Sequence, residues 1–205
     1  MRIGPYCSSD SEELALTCAD GSVVRHDDTL LVQTASGPMA LVNVDGRDDE
    51  QRTESYTYVG TLRSHGVHHV IGHTGYEFSQ LNLYSGVSGR AVDIASPPVA
   101  GPGERYFATA ELGLNVCEAN TSNLEIWRLT DSLPLREWNL EPWDCGQETG
   151  WGPSSPTWVS ADTLRFTHVD PAEPTAPGTA PNERREHRAM VVHRGTRWVL
   201  VDPAP

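Results

Sequence analysis

The sequence predicts an all-β protein built from many short antiparallel strands. Three observations lead there. Gly 18 and Pro 15 among 205 residues punctuate the chain with turns. Between those turns apolar residues alternate with polar ones over a few positions, the period of a half-buried strand. Apolar runs with helical spacing are missing, and no stretch approaches the ~20 apolar residues needed to cross a bilayer.

The elements follow in chain order. Leu14–Cys18 alternates and reads as a strand, Ala19–Ser22 as a turn, and Val23–His26 as the next strand, with Asp20-Gly21 as a hairpin signal. Leu30–Thr34 and Met39–Val44 are further strands, separated by Ser36-Gly37-Pro38. An acidic loop spans Asp45–Glu54 before Tyr56–Val59 resumes the β pattern.

A repeat then emerges. Ala40-Leu41-Val42-Asn43, Leu81-Asn82-Leu83-Tyr84 and Leu124-Glu125-Ile126-Trp127 begin 41 and then 43 residues apart, a step of the size of a four-stranded propeller blade. The second and third copies are each followed by a turn and another strand, Arg90–Ile94 and Leu135–Leu140.

A second series of similar segments is read as supporting the same period, although its members begin 92 and then 60 residues apart. Ser8–Leu16, Ala100–Ala108 and Ser160–Phe166 each place a polar turn before an apolar strand. Pro156 and Trp158 precede the last of these. This pattern resembles the Ser-Pro-Asp-Gly turn and strand of TolB-type and WD-type propeller repeats. No segment has that turn intact, and a copy near residue 54 is not recognisable. The resemblance touches about half of the chain and implies architecture only.

The expected fold is therefore a single β domain over 1–205, a propeller-like array of about four antiparallel blades, complete or incomplete. A β-sandwich with long loops is the alternative. Residues 170–188, rich in Pro, Ala, Thr and Glu, read as an exposed loop. A hairpin, Ala189–His193 and Arg197–Val201 around Arg194-Gly195-Thr196, closes the chain.

The net charge is −13, and all 15 basic residues are arginine. Such a charge opposes nonspecific attraction to nucleic acid and to anionic membranes, and favours a basic partner, a cation or simple solubility. Arginine-only usage with abundant alanine suits a GC-rich bacterial genome.

Cys7, Cys18, Cys117 and Cys145 form no C-x-x-C pair, so a zinc knuckle is not expected. Four cysteines allow three disulfide pairings. Cys7–Cys18 with Cys117–Cys145 is favoured, because each pair brackets a local excursion. Disulfides place the protein in a periplasm or outside the cell. Four buried thiols in a cytosolic protein are the alternative. The segment Met1–Tyr6 carries no hydrophobic signal, so export implies a signal outside this sequence.

Candidate site residues fall into three groups. His65, His68, His69 and His73 lie within ten residues. On a regular strand His65, His69 and His73 share a face, but each four-residue step spans about 13 Å, so one zinc ion needs bends at Gly66 and Gly72. The acidic loop Asp45–Glu50 offers oxygen ligands for calcium without the ligand order of an EF-hand.

The segment Trp138–Trp158 holds Trp138, Trp143, Trp151 and Trp158 around Cys145. Trp138 and Trp158 fall in strands and read as core. Trp143 and Trp151, with Asp144 and Glu148 as an acidic rim, read as a surface for a partner.

Nucleophile and cofactor motifs are absent. Ser85–Gly89 is not a nucleophile elbow, because Arg90 stands where the last glycine is required. There is no P-loop, dinucleotide fingerprint or H-E-x-x-H. The expectation is a non-catalytic acidic binding protein of the bacterial envelope, an inhibitor or immunity protein for a basic toxin or cell-wall hydrolase, requiring no cofactor. The alternatives are a module binding cell-wall glycan, and a calcium- or zinc-binding protein or enzyme using His65–His73.

Overall fold

The structure, a computed structural model, describes residues 6–46, 52–112, 123–140, 151–170 and 185–201. The chain divides into two compact units, Met1–Ala100 with Leu129–Leu135, and Gly101–Arg128 with Arg136–Pro205. The expectation of an all-β fold is met. Four antiparallel sheets carry the described chain, each built mainly from consecutive strands, and none closes on itself. Among the described residues no helix is long and apolar enough to cross a membrane.

In the first unit, β1 (Tyr6–Ser8) precedes a short helix, α1 (Glu12–Leu16), and a 3-10 turn, Thr17–Ala19. A three-stranded meander follows: β2 (Val23–His26), β3 (Thr29–Thr34) and β4 (Gly37–Val42). Next come β5 (Glu54–Arg63), β6 (Val67–Gly75), β7 (Phe78–Ser85) and β8 (Ala91–Ile94). Their sheet has the order β1-β5-β6-β7-β8, so the first strand lines the edge of a later meander. A two-residue strand, β9 (Val99–Ala100), ends the unit's main segment.

Alternation explains the core. Leu30 and Val32 point inward from β3 and join Ala15, Ala19, Val23, Tyr58 and Ile71 in one buried cluster.

The strand expected over Leu14–Cys18 is instead α1 and its 3-10 extension. Glu12 and Glu13 occupy the first turn, where the helix dipole favours negative charge. Ala15, Cys18 and Ala19 then fall at helical spacing on the buried side. Tertiary contacts fix this choice. The Glu12 carboxylate accepts the Tyr58 N–H at 2.7 Å and the Arg25 guanidinium at 2.6 Å.

Cys7 and Cys18 are joined by a disulfide with Cα atoms 5.6 Å apart, as expected. The Cys18 carbonyl also accepts from Thr61 Oγ1 at 3.2 Å and from Arg63 at 2.8 Å. Cys117 and Cys145 lie outside the described residues.

The second unit contains β10 (Tyr106–Glu111), β11 (Asn123–Arg128) and β12 (Leu135–Leu140), in the order β12-β11-β10. A second sheet is the meander β13 (Gly152–Ser160), β14 (Thr163–Val169), β15 (Glu186–Arg194) and β16 (Arg197–Val201). One buried cluster joins the two sheets: Tyr106, Ala108, Leu124 and Ile126 from one, Leu164, Phe166, Ala189, Val191 and Trp198 from the other. Trp138 and Trp158 pack against it, as expected of strand tryptophans. The terminal hairpin forms with Gly195 at φ 66° in its two-residue turn.

The repeat maps unevenly. The copies at 81 and 124 fall on β7 and β11, each followed by the last strand of its sheet, β8 and β12. The copy at 40 falls on β4, itself the last strand of a three-stranded sheet, so the 41-residue step joins unlike strands.

Candidate metal site

The described residues that converge with metal-ligand spacing are His168, Asp170 and His187. Strand pairing builds this group. β14 and β15 pair so that His168 and His187 are direct cross-strand partners, which places their side chains on one face. Asp170 stands two residues beyond His168, on that same face by the period of a strand. Its N–H donates to the Arg185 carbonyl at 2.9 Å and carries the ladder past Val169.

The neighbours fix the rings. Sheet order places β14 between β13 and β15, so His168 is flanked from both sides. The Trp151 indole stacks on it at 3.9 Å between centroids and 13° between planes. The His187 ring lies 3.8 Å away, tilted by 34°. Trp151 also stacks on Phe166, which belongs to the core. The group thus sits where the buried cluster gives way to solvent: His168 is buried, Asp170 half-buried and His187 exposed.

His168 Nε2 and Asp170 Oδ1 are 3.0 Å apart, and one ligand atom from each of the three residues lies within 4.8 Å of the others. Two imidazole nitrogens and one carboxylate oxygen make a donor set able to hold a metal ion.

The four histidines expected to bind metal are distributed differently. His65 lies in the turn between β5 and β6 at φ 46°, with Nδ1 3.8 Å from the Asp131 carboxylate. His68 and His69 are successive residues of β6, both buried, and point to opposite faces. Burial lowers the pKa of both, that of His69 to about 4. The Tyr58 hydroxyl lies 3.3 Å from His69 Nδ1 and bonds Thr61, while burial pushes the Tyr58 pKa up to about 12. His73 stacks on Tyr56 at 4.4 Å and meets the Phe78 ring edge-on. The four are spread over a turn and two faces of a strand.

Of the expected partner-binding residues, Trp151 is half-buried against the core and stacked on His168. Trp143, Asp144 and Glu148 lie outside the described residues, as does most of the acidic loop expected to hold calcium.

His168 and His187 escaped the sequence reading because His187 falls within the span read as a loop, 170–188. In the structure β15 begins at Glu186. The available signal was His168-x-Asp170 at the end of a strand, a spacing that sets both side chains on one face.

Comparison with protein-family models, with curated proteins and with solved structures found no match for this chain.

Proposed function

We propose that this chain is a non-catalytic binding protein of the periplasm or the cell exterior that recognises a basic protein. The disposition of its charges carries this reading. Arg25, Arg63, Arg128 and Arg136 are engaged in ion pairs within the chain, with Glu12, Asp20, Glu137 and Glu125. Arg90, Arg105, Arg165 and Arg197 are exposed, as are Asp10, Glu13, Asp27, Asp28 and Glu77, but the balance over the whole chain is −13, so acids prevail. Such a surface draws in cationic partners over distances of the order of the Debye length. An inhibitor or immunity protein acting on a basic toxin or cell-wall hydrolase fits that physics.

The Cys7–Cys18 disulfide supports an oxidising compartment. The succession of four meander sheets supports reading them as blades of a propeller-like array that holds irregular loops in place. A cell-wall glycan is the alternative partner; stacking on His168 covers one side of the Trp151 ring and weakens that alternative. In this reading a zinc or calcium ion is an accessory to the scaffold, and partner affinity survives chelation.

The test is the affinity of the full chain for a panel of basic cell-wall hydrolases and for acidic control proteins, at about 50 and about 500 mM salt. Selective binding of a basic protein that weakens with salt supports the proposal. Equal affinity for the acidic controls, or no binding across the panel, overturns it.

A further inference from the structure

We propose that His168, Asp170 and His187 form a binding site for a divalent transition metal of the zinc class. The donor set selects the class. Calcium takes six to eight oxygen ligands and magnesium demands an oxygen octahedron, whereas two imidazoles with one carboxylate suit zinc, cobalt or nickel. The His168 and His187 rings need no search to find each other, because strand pairing holds them on one face with centroids 3.8 Å apart. Asp170 is anchored by its own backbone bond to Arg185, so its carboxylate is presented from a fixed position. With ligand atoms already within 4.8 Å of one another, adjustment of the exposed His187 and half-buried Asp170 side chains about the held His168 ring would bring the three toward an ion at the usual ~2.0–2.2 Å.

The surroundings suit a cation as well. Trp151 and Phe166 wall the buried side, and a low-polarity wall strengthens the attraction between a carboxylate and a bound ion. The exposed His187 gives the ion a path from solvent. Three protein ligands leave one tetrahedral position for water or for an added donor. The ion would clip β14 to β15 where the chain leaves one strand and enters the other.

Cobalt(II) titration of the full, metal-free chain tests this, because tetrahedral cobalt absorbs visible light far more strongly, and at longer wavelength, than octahedral aqueous cobalt. Zinc competition then gives the affinity. The expected result is one equivalent bound, with tetrahedral bands and displacement by zinc. His187→Gln and Asp170→Asn should each weaken binding about 100-fold or more. Both residues are outside the buried core, so circular dichroism should show the fold retained. His26→Gln, an exposed histidine on another sheet, should leave the affinity unchanged. No binding by the parent chain at micromolar metal overturns the proposal. So does undiminished binding in the His187 and Asp170 variants, which would locate the ion elsewhere.

Discussion

Arg136 Nη1 donates to Glu125 Oε1 at 2.8 Å, joining a half-exposed guanidinium to a carboxylate only 4% exposed. The other carboxylate oxygen accepts from Thr109 at 3.0 Å and from the Trp127 indole N–H at 2.9 Å. Glu125 is thus a buried charge with every partner supplied by β10, β11 and β12. Removing the cation leaves the carboxylate desolvated and unbalanced. Arg136→Ala should therefore cost about 2 kcal/mol, measured by denaturant unfolding. A change below a few tenths would show that solvent already neutralises the charge.

Gly60 lies where β1 pairs with β5, opposite Ser8. A Cβ added there would stand 2.4 Å from the Cys7 carbonyl oxygen and 3.0 Å from Ser8 Cβ. Gly60→Ala must push β1 off its partner, and a loss of about 2–3 kcal/mol is expected in thermal or denaturant unfolding. Because the lesion acts on the strand that the disulfide holds, its cost and that of a Cys7→Ser/Cys18→Ser variant should fail to add.

Reduction of Cys7–Cys18 should by itself cost about 3 kcal/mol, the loop-closure value for a short loop. The measurement is unfolding with and without reductant. The loss should disappear in the Cys7→Ser/Cys18→Ser background unless a second disulfide also contributes there.

His69 makes stability fall on acidification. Burial holds its folded-state pKa near 4, below the ~6.5 of an unfolded histidine, so the unfolded chain binds the extra proton between those values. The contribution is fully present above pH ~6.5 and is lost as pH drops toward 4, to a limit of about 3 kcal/mol. His68, buried on the opposite face, acts in the same direction. Unfolding at pH 7 and pH 5 should show a smaller acid loss in His69→Gln than in the parent chain.

How much of this was legible depends on the range of the forces involved. β3, β4, β7 and the terminal hairpin were readable because alternation and turn residues are local signals. α1 was not, since Leu14–Cys18 fits both periods over five residues. The Glu12 contacts with Tyr58 and Arg25, 46 and 13 residues away, settle the matter only in three dimensions. The metal site failed for a related reason. His168 and His187 are made neighbours by a register, and composition says nothing about register across an intervening segment. The histidine-rich stretch attracted the metal reading because His65, His69 and His73 share a face on a regular strand, yet His65 falls in the turn before β6 and His68 points away from His69.

The placement of β1 has a consequence for the order of events in biosynthesis. Tyr6, Cys7 and Ser8 take their places opposite Leu62, Thr61 and Gly60, so once made they must wait for more than fifty further residues before they can dock. Cys18, by contrast, emerges only eleven positions after Cys7. Oxidation can therefore tie β1 to the 3-10 turn after α1 before the acceptor strand has emerged, delivering β1 tethered beside its seat and sparing a long-range search.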